Sequence, residues 1–265
     1  MNETPEDAPK TPPSAPQRTR TLPPFTTPPP LPGQHALYAS LANDLGPMEN
    51  GTAIARVAEC LLKCPGRITY EITAGRFPAV VLSLMSIASL CLLAFGIIVG
   101  LFPGGGQLWL TPVKIWVGTL LSALLCLPSL YVFACLAGGR QSLAATIGLL
   151  AQALALMGIL LVGFAPIAWL FSQSTNSAAF MGFLFLVFWL TSAAISLELL
   201  IAAMRALNQR NTAMLRVWCV VFLAVTLQMS TTLRPLVGKF DGFRLQEKQF
   251  FVAHWVDCMD KSDKR

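Results

Sequence analysis

Residues 113–171, VKIWVGTLLSALLCLPSLYVFACLAGGRQSLAATIGLLAQALALMGILLVGFAPIAWLF, decide the fold. Two apolar runs flank Gly138-Gly139-Arg140-Gln141-Ser142. Each run exceeds the roughly 20 residues that a helix needs to cross about 30 Å of hydrocarbon. So short a link leaves room only for a tight helical hairpin. Lipid offers no partner for backbone N–H and C=O groups, so each run must close its hydrogen bonds internally as a continuous helix. The predicted fold is an all-α membrane protein, a bundle of about five transmembrane helices with a disordered Pro-rich N-terminal tail.

Composition extends this reading outward from the hairpin. Of 265 residues, 54% are hydrophobic and 12% charged, against about 25% charged in an average soluble domain. Between Phe77 and Met204 only Lys114, Arg140 and Glu198 carry charge. A soluble core of that length needs polar residues on its wet faces every turn or two, whereas a membrane bundle is apolar all round. The net charge of +6 lies mainly outside the apolar runs, which suits anionic headgroups, and no nucleic-acid motif is present.

On the N-terminal side, residues 1–34 hold most of the prolines, as in Pro28-Pro29-Pro30-Leu31-Pro32. Such a stretch buries too little apolar surface to offset its ordering entropy, and without an apolar h-region it is not a signal peptide. Arg20-Thr21-Leu22-Pro23-Pro24 fits a peptide ligand for an aromatic groove, with a plain flexible tail as the alternative. Residues 35–78 form a mixed interfacial segment. In it Ile54, Val57, Ala58, Leu61 and Leu62 recur at helical spacing, which predicts an amphipathic helix over 52–64, ended by Pro65-Gly66. Two placements are open for it: in the headgroup layer with Arg56, Lys63, Arg67 and Arg76 facing lipid phosphate, or docked on the base of the bundle.

Five spans are expected within a bundle over 79–233: residues 79–102, 113–137, 143–171, 177–204 and 212–233. The first carries Gly96 and Gly100 at four-residue spacing, a small-residue stripe along which a neighbouring helix can approach. Pro128 is expected to kink the second, and Pro166 to kink or end the third near its far surface. Trp109 and Trp116 suit an interfacial belt. The fifth is the weakest, with only 17 residues between Arg216 and Arg234. Residues 234–265, where Phe and Trp mix with Lys and Arg, read as an amphipathic C-terminal tail. Lys and Arg near the span ends gather on one side if the N-terminus is cytoplasmic, and the tail with Arg234 and Lys239 dissents from that pattern.

Few residues carry candidate chemistry. Glu198 is the one acidic residue within a span and Arg216 falls near it across the last helical turn-around, so a structural ion pair is weighed against a proton- or cation-handling carboxylate. Gln152 and Gln228 are intramembrane amides that need partners across helices. Of the seven cysteines, Cys60 and Cys64 stand one turn apart but form half a metal site at most, and the cluster His254, Asp257 and Cys258 is likewise incomplete. No GxSxG, HExxH or GxxxxGK[ST] motif occurs, so no catalytic, cofactor-binding or metal-binding residues are assigned and no cofactor is expected.

The order of parts resembles the Yip family of Ypt/Rab-interacting membrane proteins, more closely its bacterial relatives. The resemblance rests on Leu136-Ala137-Gly138-Gly139-Arg140-Gln141-Ser142-Leu143, with Leu127-Pro128-Ser129-Leu130-Tyr131, the Phe164–Gln173 segment and Leu233-Arg234-Pro235. It covers about residues 52–238. Asp44-Leu45-Gly46-Pro47 departs from the Asp-Leu-Tyr-Gly-Pro motif of the eukaryotic members by lacking the Tyr. The resemblance implies a non-enzymatic membrane scaffold or accessory protein that recruits partners or shapes the membrane, here in a bacterial inner membrane. Expected partners are membrane lipids and either other proteins or further copies of the chain, and no nucleic acid. The alternative is a permease-like transporter subunit using helices two and three with Gln152 and Glu198.

Overall fold

The structure, a computed structural model, describes residues 45–48, 53–74, 77–102, 107–139, 141–175, 177–207 and 213–232. Among them the regular elements are all helices: α1 (Ile54–Lys63), α2 (Pro65–Ala74), α3 (Phe77–Leu101), α4 (Gln107–Leu136), α5 (Leu143–Ser174), α6 (Ala178–Ala206) and α7 (Ala213–Thr232). The tails expected over 1–34 and 234–265 lie outside the described residues, as do Arg76 and the His254 cluster.

Among the described residues four stretches are long and apolar enough to cross a membrane: Pro78–Leu101, Leu108–Leu136, Leu143–Ser174 and Phe180–Ala206. The protein is therefore an integral membrane protein with an all-α bundle. The expected count of five is corrected to four full-length spans and a shorter apolar helix, Ala213–Met229. Arg216 near its start and the polar run from Gln228 to Thr232 trim its apolar length.

Local signals explain the boundaries. Ser142 caps α5, its hydroxyl accepting the Ala145 N–H at 3.2 Å, and Ser177 does the same for α6 from Phe180; each satisfies an orphan first-turn donor. Gly138 ends α4 at φ +87°, a left-handed conformation that costs glycine nothing. The Gly139 N–H then reaches the Ala134 carbonyl and the Gly138 N–H the Cys135 carbonyl, each at 3.0 Å, the paired bonds of a Schellman ending. Two expected boundaries move. The second span opens at Gln107 rather than Val113, with Pro112 inside the helix. The third runs through Pro166 to Ser174, so Pro166 does not end it.

Lipid tails are as apolar as leucine, so helices in a membrane associate through close packing and hydrogen bonds rather than by escaping water. The small residues provide the packing. A Cβ on Gly96 would stand 2.5 Å from the Pro112 Cα, so α3 and α4 meet backbone to backbone there. Gly100 is buried four residues further along α3. A Cβ on Gly158 of α5 would lie 2.9 Å from the Cys91 Cβ of α3. α3 packs most extensively on α5 and then on α4, α5 also holds α6, and α7 lies mainly against α4 rather than against its chain neighbour α6. Buried residues form two clusters. One joins α1 and α2 to the first half of α3, the second half of α4, the first half of α5, the end of α6 and α7. The other joins the second halves of α3 and α5 to the first half of α6.

Candidate functional site at the basic end of the bundle

Alternation of the spans brings α1, α2, the first turns of α3, α5 and α7, and the last turns of α4 and α6 to one end. Arg56, Lys63, Arg67, Arg205 and Arg216 gather there. On α1 only part of the expected apolar stripe is used. Val57 and Leu61 are buried in the core, with Ala58 packed beside them, whereas Ile54 and Leu62 remain 47% and 57% exposed. Glu59 and Lys63 form an i,i+4 ion pair at 2.8 Å on the outer face. The hydrogen bond from Lys63 holds the Glu59 carboxyl below its ordinary value, and the same bond raises Lys63.

Pro65-Gly66, expected only to end this helix, opens another. α1 stops at Cys64, whose φ of −139° and ψ of 62° leave the helical region. Proline then suits the first position of α2, where its missing N–H would have been an orphan and its φ is already set. α2 buries Ile68, Thr69, Glu71 and Ile72, so the segment is docked on the bundle's base. Arg56 and Lys63 stay exposed and Arg67 half-buried around that docked pair.

A buried amide fixes the dock. Gln152 of α5 is 1% exposed. It donates Nε2 to the Pro65 carbonyl at 3.0 Å and accepts the Thr69 hydroxyl at 3.1 Å. An unpartnered amide in such a site costs about 1–3 kcal/mol, so α2 occupies the position that satisfies it. One turn earlier, a Cβ on Gly148 would lie 2.6 Å from the Ile72 Cγ2; the missing side chain is what lets α2 sit so close. Glu71, 4% exposed, accepts the Met48 N–H at 2.8 Å and thereby ties residues 45–48 over α2. Met48, Arg56, Glu59, Cys60, Lys63, Cys64 and Arg67 line an open recess of about 220 Å³.

A second polar joint holds α7. Trp218, wholly buried, donates Nε1 to the Cys126 carbonyl at 3.2 Å and to the Ser129 hydroxyl at 3.0 Å. Ser129 in turn donates to the Cys126 carbonyl at 2.7 Å. Pro128 lies between these two residues in an unbroken α4, so the indole meets α4 on either side of its internal proline. Phe222 stacks on Trp218 with centroids 5.3 Å apart.

The remaining sequence candidates scatter. Glu198 and Arg216 are both exposed, and both act electrostatically on the buried thiol of Cys219. α7, which carries Arg216, leans mainly on α4 rather than on α6, which carries Glu198. Gln228 is half-buried near the end of α7, remote in sequence and element from the Gln152 joint. Gln152 and Glu198, grouped above as a transport pathway, do not share a site: the first is committed to α2 and the second faces outward. Trp109 is exposed as an interfacial residue should be, but Trp116 packs on the apolar core at the other end. Cys60 donates to the Cys64 carbonyl at 3.5 Å, and among the described residues no three His, Cys, Asp or Glu side chains are grouped to hold a metal.

Nothing in the sequence alone singles out Thr69 and Glu71, which fall in the mixed interfacial segment beyond the predicted end of the 52–64 helix. The helix that carries them does leave a signal: Ile68 and Ile72 follow Pro65 at i+3 and i+7, the spacing of a helix face. Fold and site together define an α-helical integral membrane protein with two short helices built into one end of its bundle. No family model, curated protein or solved structure matches the chain.

Proposed function

We propose that the chain is a non-enzymatic, Yip-like scaffold or accessory protein of a bacterial inner membrane, its basic end cytoplasmic and presenting the α1–α2 pair to partners. The observation that carries this reading is the Gln152 joint. A polar residue deep in a span, which a permease would turn toward its substrate, instead spends both ends of its amide on seating α2. The result is a rigid platform with Ile54 and Leu62 left outside as apolar contact points. The excess of Lys and Arg at this end supports the cytoplasmic orientation.

Photo-crosslinking groups placed at Ile54 and Leu62, and at the lipid-exposed Leu82 and Val220 as controls, test this in intact cells. Discrete protein adducts are expected from the first two positions alone, and their loss when Gly148→Leu unseats α2. Lipid adducts from all four positions, with no protein adduct dependent on the platform, would contradict it.

A further inference from the structure

The recess at the foot of α1 carries more positive charge than its walls neutralise. Among the described residues its single carboxylate, Glu59, is already bonded to Lys63 at 2.8 Å. Arg56 and Arg67 line the same space, and neither guanidinium enters an ion pair among the described residues. Two planar forks around about 220 Å³ match the oxygens of a phosphate, which arginine binds bidentately.

Depth indicates which phosphate. α5 has 32 residues, about 48 Å of helix, and so overshoots a hydrocarbon core of about 30 Å by several turns. Gln152 lies about two and a half turns in from its start at Leu143, which brings Pro65, and Cys64 beside it, down to the boundary of that core. Met48, held by Glu71, forms one of the walls of the recess.

We propose that Arg56 and Arg67 form a binding site for a phosphate group, supplied by the headgroup of an anionic phospholipid. This needs only the membrane placement of the bundle, so it stands or falls separately from the scaffold role. Lys63 screens Glu59, the two arginines hold the phosphate, and Cys60 and Cys64 lie beneath it as natural reporters.

The full chain is reconstituted in phosphatidylcholine vesicles, with and without phosphatidylglycerol, and alkylation by a soluble maleimide is followed at each cysteine by mass spectrometry. Phosphatidylglycerol is expected to slow modification of Cys60 and Cys64 by about tenfold, the protection of a mostly occupied site. The exposed Cys135, at the same end of the bundle, should change little. Arg56→Gln with Arg67→Gln should abolish the protection, and Arg56→Lys with Arg67→Lys should retain part of it, which separates site loss from misfolding. Protection by inorganic phosphate in phosphatidylcholine alone would keep the anion site and overturn the lipid source. Equal slowing at Cys135, protection unchanged in the glutamine variant, or no protection by either anion would overturn the proposal.

Discussion

At the basic end, Gln152, Thr69, Glu71 and Met48 tie α5, α2 and the segment at 45–48 together by buried hydrogen bonds. At the other end the contacts are apolar: Phe95 meets Phe185 edge-on at 6.3 Å, and Phe164 stacks on Phe188 at 4.8 Å with the rings nearly parallel. The difference follows from what each end must hold. Spanning helices are already confined by the bilayer, so shape and close approach at Gly96 and Gly158 suffice to pair them. Short helices such as α1 and α2 have no such confinement and are marginal in isolation, so directional bonds fix their position.

The contrast breaks most visibly at Gly96. Gly96→Leu must push the Pro112 backbone away, and an overpacked contact of this kind costs about 3 kcal/mol; thermal unfolding in detergent should show a large loss of stability. Gln152→Leu should cost less globally, about 1 kcal/mol, yet free α1 and α2 selectively. Hydrogen exchange would then rise across 54–74 and stay unchanged in α3 and α6, and uniform loosening would argue that the joint is not local. Phe188→Leu removes one stacking partner, worth about 1 kcal/mol, and should leave exchange at 54–74 untouched.

The smallest effect is the Glu59–Lys63 pair. Because the folded Glu59 value is depressed, its contribution is present above 4.5 and lost as pH falls through the lowered value. Because Lys63 is raised, its contribution is present below 10.5 and lost as pH climbs through the raised value. Both groups are fully exposed, so the melting temperatures of the wild type and Glu59→Gln should differ little between these limits and converge outside them.

The spans were legible because a charge-free run of helical length has one reading in any solvent. Ser142, Ser177 and Gly138 set their ends by chemistry that works within a few residues. What was not legible depended on contacts distant in sequence. Pro112 reads as a helix breaker until Gly96 is known to lie against it. Pro65 reads as a stop until the Gln152 amide, 87 positions away, supplies a reason for α2 to begin there. The lean of α7 on α4 rather than on α6, fixed by Trp218 on Cys126 and Ser129, was written in neither helix alone.

The docking of α2 on α5 is tested most directly by a disulfide. Ile72 side-chain atoms lie 2.6–3.4 Å from where a Cβ at position 148 would stand, within the reach of bonded cysteines, whose Cβ atoms are about 4 Å apart. With the seven native cysteines replaced, Ile72→Cys combined with Gly148→Cys in native membranes should form an intramolecular bridge under mild oxidation, holding proteolytic fragments together until reduced. Two thiols that alkylate independently and never join would show that the helix lies on lipid instead, and the docked base would have to be given up.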